Sequence, residues 1–350
     1  MTFVLGTTAV RNTSAAVILL NDVNPGGSNP AALAAFASAA NLWTSKLIDP
    51  VTIRINVSFE ALGSGILGSA GSATVAANYS TIKTALAADA TSAADAMAVA
   101  NLPGGSSLQF RTNNVAGDIV LDNNGSNNNT VLDVNRANAK ALGLLTDDGS
   151  TADAEIKFST LFAFDFDPSN GIVGGAFDFV GIAAHEIGHA LGFVSGVDTV
   201  DYFSGNGPVD LDLNLYRVFS VLDLFRYSSA SLALGGAGTL DLATGGTPYF
   251  SLNGGATSLG TFSTGVYNGD GRQASHWKDN LALGIMDPTA APGELLTMTA
   301  LDIQAMDVIG WNLASTSATA VPEPASAALL AVGGIVLVVV QRRKRTRMAV

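Results

Sequence analysis

Cysteine is absent from the 350 residues, histidine occurs only three times, and charged side chains make up 13%. Without thiols no disulfide can staple the fold, and any metal must be held by His, Asp or Glu. Little charge beside 48% hydrophobic residues argues against disorder and leaves material for a large core in one main domain with additions. Basic residues are scarce outside the extreme C-terminus: of 17 Lys and Arg, five (Arg342, Arg343, Lys344, Arg345, Arg347) fall in the last nine positions. The remainder sets 12 basic against 29 acidic residues, a balance of −17. Nucleic acid demands a basic face, so it is not expected as a partner.

Long apolar runs are equally rare. The opening MTFVLGTTAVRNTSAAVILLND lacks the basic start and the apolar run of ~7–15 residues that an export signal needs, and AAVILL reads as a buried strand. The exception is VPEPASAALLAVGGIVLVVVQRRKRTRM, uncharged over the 16 residues from Ala325 to Val340, which as a helix spans ~24 Å and reads as a transmembrane segment. The basic cluster behind it stays on the cytoplasmic side and halts translocation. Pro322, Glu323 and Pro324, then the apolar segment, then the Arg cluster resemble a PEP-CTERM sorting tail. That resemblance implies export, membrane anchoring through 325–340, processing by an exosortase-type enzyme, and a final place at the cell surface or in the matrix. It also implies a signal peptide upstream of the residues given. Sparse Lys with abundant Gly, Ser, Thr and Asn, as in LDNNGSNNNT, fits exported bacterial surface proteins.

Between the ends, residues 29–48 carry apolar side chains at helical spacing and PVTIRINVSF alternates as a strand. Further helices are expected at 79–100 and 133–145, a strand at 152–160, a helix over 213–228, and a last helix in TMTALDIQAMDVIGW, opened by Thr299 and Asp302 at capping-box spacing and closed by Gly310. Residues 314–321 form a small-residue linker before the tail.

Residues 184–198 read AHEIGHALGFVSGVD. On a helix, positions i and i+4 share a face, so His185 and His189 can bind one metal from the same side, with Glu186 beside it as the base that takes a proton from bound water. A catalytic site usually has a third protein ligand, but Ser195 stands where one often follows such a motif. The glutamates after Glu186 are Glu294 and Glu323 only; Asp198 and Asp201 lie close in sequence, and the third histidine is His276.

HEIGHALGF, His276 in SHWKDN and Met286 in GIMDP resemble the metzincin zinc peptidases, in the leishmanolysin-like variant where a long insertion precedes the third His. The resemblance implies an α+β fold, with a twisted mixed sheet over an active-site helix, a less regular C-terminal subdomain, and the C-terminal transmembrane helix added. It implies Zn2+ on His185, His189 and His276, Glu186 as catalytic base, Met286 in a tight turn beneath the metal, and the strand near 152–160 bordering the cleft. The tyrosine that several metzincins place two residues after the Met is here Pro288.

Trp277 reads as a buried aromatic in preference to a substrate contact. DFDPSNG (Asp165, Asp167, Asn170) offers oxygens at calcium-ligand spacing, but lacks the full loop and its bidentate Glu, and an Asx-rich turn is the preferred reading over Ca2+; the same holds for VDLDLN. The expected organisation is a peptidase domain over 1–313, divided near 195, then the linker 314–321 and the sorting segment 322–350. The expected function is a zinc-dependent endopeptidase acting on peptide or protein by Glu-assisted attack of zinc-bound water. The alternative is a surface or matrix protein that keeps the metal but does not cleave.

Overall fold

A computed structural model of the chain describes residues 15–314. Strand β1 (Val17–Asp22) leads to helix α1 (Pro30–Thr44) and strand β2 (Thr52–Glu60). Asn29 caps α1 by accepting the Ala31 N–H at 2.9 Å, and Pro30 sits in the first turn, where its missing N–H leaves nothing unpaired. Ala32, Ala35, Phe36, Ala39 and Trp43 then form a buried stripe along the helix. In β2 the inward residues are Ile53, Ile55 and Val57, alternating as a strand with one covered face requires.

Strands β3 (Gly68–Ser72) and β4 (Ala154–Ser159) complete a four-stranded sheet in the order β1-β2-β4-β3. The first three of these positions run parallel, and β3 is antiparallel to β4 with Gly68 opposite Phe158 and Ser72 opposite Ala154. Leu67 C=O accepts from Ser159 N–H, and Ala73 N–H donates to Asp153 C=O. By the alternation of an antiparallel ladder, the residues in phase with 67 and 73 bond to β4, so Gly68, Ala70 and Ser72 turn their N–H and C=O groups to the outer edge.

Helix α2 (Phe179–Leu191) packs against α1 and β3, and all 13 of its residues are buried. Asp178 caps its start, accepting Gly181 N–H at 2.9 Å, and Gly192 ends it with φ +124°. Two tryptophans fix its carbonyls: Trp43 Nε1 donates to Ala184 O at 2.8 Å and Trp311 Nε1 to Leu191 O at 3.0 Å. Phe36, Phe59, Phe158 and Phe179 pack ring to ring at the start of α2, with Phe158 and Phe179 centroids 4.4 Å apart. The last helix, α3 (Ala300–Val308), carries the expected capping box from Thr299 to Asp302.

The structure corrects the expected fold class. Instead of one twisted sheet, the described strands divide among five small sheets in a mixed α/β arrangement, the others having two or three strands each. Many of these strands are two residues long, too short to show a period in sequence. No helix among the described residues is long and apolar enough to cross a membrane; the 325–340 segment expected to do so lies outside the described residues, as do the rest of the sorting tail and residues 1–14.

Three local expectations also change. AAVILL is an edge strand, not a buried one, with Val17 and Leu19 more than 40% exposed. The helix expected over 79–100 is two helices, Tyr79–Asp89 and Ala93–Ala100, because Ser92 and Asp95 form a capping box that starts the second. Residues 213–228 form no α-helix: two short 3-10 turns, Leu213–Leu215 and Leu222–Phe225, precede the strand Arg226–Tyr227.

Candidate metal centre

His185 and His189 project from the same face of α2, and His276 comes to them on an irregular segment 87 residues beyond His189. The three Nε2 atoms lie 3.0 Å (185–189), 3.2 Å (185–276) and 3.2 Å (189–276) apart. Each ring commits its other nitrogen to a backbone carbonyl, which can only accept: His185 Nδ1 donates to Ile285 O (2.8 Å), His189 Nδ1 to Phe193 O (2.7 Å), and His276 Nδ1 to Gln273 O (3.1 Å). The proton is therefore on Nδ1 in all three neutral rings, and three Nε2 lone pairs face one another.

Such lone pairs repel unless a cation sits between them. Nitrogens held tetrahedrally at the ~2.0–2.1 Å of a metal–imidazole bond lie ~3.3 Å apart, close to the observed separations. The buried group His185, His189 and His276 could thus hold a metal ion. Burial pushes all three imidazoles below their ordinary pKa, His189 to about 3, so the ligating neutral form is present throughout the neutral range.

Glu186 follows His185 on α2 and is 6% exposed. Burial raises its carboxyl to about 8, and a cation held by the adjacent imidazoles would draw it back toward ionisation. Its carboxyl lies against Gly68 of β3, where a Cβ would stand 2.9 Å from Oε1. Triad, Glu186 and β3 border a cleft of about 660 Å³, lined also by Asn135, Arg217, Gln273 and Pro288.

Met286 is fully buried, and its sulfur reaches α2 at Gly188, where a Cβ would come within 2.5 Å of Sδ. One carboxylate ties Met286 to the neighbour of His276. Asp302, on α3 and fully buried, accepts Trp277 Nε1–H (2.9 Å), Ile285 N–H (2.9 Å) and Met286 N–H (3.3 Å). Asp302 therefore holds both the residue after His276 and the peptide whose carbonyl orients His185.

Of the other residues singled out in the sequence, Asp198 and Asp201 are not gathered with the triad. Asp198 accepts from Ala274 N–H (2.6 Å) and Ser275 N–H (3.2 Å), while Asp201 accepts from Tyr267 and Asn268 N–H groups at 2.8 Å. Trp277 is fully buried, its ring stacked on Phe262 at 5.0 Å. Asp165 and Asp167 accept nearby backbone N–H groups, as Asx turns do. Among the described residues, the triad is the group of three or more His, Asp or Glu side chains whose ligand atoms converge.

Sequence reasoning missed the strand that borders the cleft. β4, expected there, is covered on its outer side by β3, and it is β3 whose outer edge no strand pairs among the described residues. GSAGS has no alternation of apolar residues by which to recognise it. Asp302 was visible only as a helix cap, since its partners lie 16 to 25 positions away. No family model, curated protein or solved structure matches the chain.

Proposed function

We propose that this protein is a zinc-dependent endopeptidase. The observation that carries the reading is the triad of neutral imidazoles with converging Nε2 atoms, set beside a buried glutamate and an unpaired strand edge in one cleft. Three histidines without a thiolate or carboxylate suit a borderline-soft divalent ion and leave its charge unneutralised. When bound, zinc supplies Lewis-acid polarisation of a carbonyl and brings the pKa of water at its open position toward ~7.

The chain's own residues do the rest. Glu186, held against Gly68, takes a proton from the attacking water and returns it to the departing amide nitrogen. The outward N–H and C=O groups of Gly68, Ala70 and Ser72 match an extended peptide, which pairs as an added strand without reading its side chains. Met286, packed on α2, and Asp302, through Trp277 and Ile285, keep the metal ligands in register. Substrate is accordingly an extended protein segment.

The test is digestion of an unfolded protein substrate by the purified chain with and without a chelator, alongside Glu186→Gln. Bound zinc should be unchanged in E186Q while hydrolysis falls by ~10²-fold or more. Cleavage by the chelated protein, or by E186Q, at the wild-type rate would eliminate the reading.

A further inference from the structure

Two of the three imidazoles are placed by a buried helix, but His276 is not. It stands on a segment without helix or strand, and 87 residues separate it from His189. Something other than secondary structure must hold its imidazole to a few tenths of an ångström.

The contacts of its neighbours show what does. Asp198, on the short helix Val197–Tyr202 just past the motif, accepts Ala274 N–H through Oδ1 (2.6 Å), and Ser275 N–H (3.2 Å) and Ser275 Oγ–H through Oδ2. Ser275 Oγ in turn accepts Ser195 N–H at 2.8 Å. Ser195 is itself fixed, its Oγ donating to Asp223 Oδ1 (2.6 Å) while Asp223 Oδ2 accepts Gly196 N–H and Ser220 N–H, both at 2.8 Å. The fully buried Arg226 carries the opposite charge in the neighbourhood of Asp198 and Asp223, without a direct ion pair to either. It also donates from Nη2 to Ser263 O (3.0 Å), and Ser263 N–H donates to His276 O (3.0 Å). The residue before His276 is thus gripped from the end of α2 through Asp198 and Ser195, while the carbonyl of His276 is held separately through Ser263.

We propose that Asp198 is a positioning residue for the metal centre: through Ser275 it ties the distant third ligand to the chain that leaves the motif helix. The proposal rests on the triad as a metal site. Ser195 then takes part as an anchor for the neighbour of His276.

Asp198→Asn keeps the volume but, in either amide orientation, sets an NH2 against a backbone N–H, of Ala274 or of Ser275. Full-length wild type, Asp198→Asn, Ser275→Ala, His276→Ala and Asp201→Asn are titrated with Co2+, reading affinity and the visible absorption that reports ligand geometry. Asp201 accepts backbone N–H groups of the 267–268 loop in the same way and serves as control. D198N and S275A should bind ~10–100-fold more weakly, with a displaced spectrum, while D201N behaves as wild type. If D198N does not fold, as judged by circular dichroism, S275A decides. Wild-type affinity and spectrum in folded D198N or in S275A, or an equal loss in D201N, overturns the proposal while leaving the triad intact. Wild-type affinity in H276A overturns the triad reading itself, and the proposal with it.

Discussion

Gly68 on the sheet edge touches Glu186 on the motif helix: a Cβ built on Gly68 would stand 2.9 Å from Glu186 Oε1 and 3.2 Å from its Cγ. The glycine is thus the wall against which the carboxyl rests. Gly68→Ala should displace the carboxyl by some tenths of an ångström, leaving bound metal unchanged and lowering peptide hydrolysis ~10-fold, less than the ~10²-fold that a misplacement of about 1 Å costs. Gly71, on the same strand, has nothing within 4 Å of its Cβ position, so Gly71→Ala is the matched control. Equal hydrolysis by the two variants would detach Glu186 from the chemistry.

Asp302 accepts three hydrogen bonds that serve the site, and one more from Thr299 N–H (2.7 Å) as a helix cap. An Asn there faces donors with donors. Asp302→Asn should lower stability by about 1.5–3 kcal/mol, the worth of hydrogen bonds to a charged group, and weaken metal binding through Ile285 and Trp277. Denaturant melts and metal titration on one preparation check both, and an intact metal affinity in a destabilised variant would reduce Asp302 to a cap.

Gly188 lies between His185 and His189 in sequence and faces Met286 and Trp43 in space. A methyl there would meet Met286 Sδ at 2.5 Å and Trp43 Cζ2 at 3.2 Å, a clash inside a closed core. Gly188→Ala should be destabilising by ~1–3 kcal/mol, and Met286→Ala by ~2–5 kcal/mol through the cavity it leaves. Because the new methyl occupies part of that cavity, the double variant should fall short of the sum by about 1 kcal/mol. Strict additivity in urea melts would place Met286 away from the helix.

The parts of this arrangement that sequence could convey are the local ones. His185 and His189 share a face because four residues make one helical turn, and α1 and β2 declare themselves through Ala32–Trp43 at helical spacing and Ile53, Ile55 and Val57 in alternation. His276 could be named because the chain holds no other histidine. The roles of Asp198, Asp302 and Gly68 depend on partners 76, 25 and 118 positions away, and no period or spacing encodes such meetings. The division into five sheets was hidden for a related reason: strands of two residues, and the glycine- and serine-rich β3, form where neighbouring backbone supplies hydrogen bonds, without an apolar pattern of their own.

Asp307 on α3 is 3% exposed, accepting Ser92 Oγ–H at 2.7 Å. Burial, and secondarily the charge of Asp95, push its carboxyl up to about 6 from an ordinary 3.8. Nearby Asp89 is also raised to about 6, chiefly by burial, with Asp49, Asp95 and Asp307 adding repulsion against the hydrogen bond from Asn312. A carboxyl whose pKa is higher folded than unfolded binds more protons in the native state between the two values. Stability from that group therefore falls as pH rises, with the penalty absent below about 3.8, growing to about 6 and complete above it. Asp307→Asn removes the titration while an amide oxygen still accepts from Ser92. The difference in melting temperature, wild type minus D307N, should thus decline from pH 4 to pH 6.5 and then level off. A difference that rose or stayed flat over that window would mean that Asp307 is ionised in the folded protein at acid pH, with a cation or donor beside it to hold the charge.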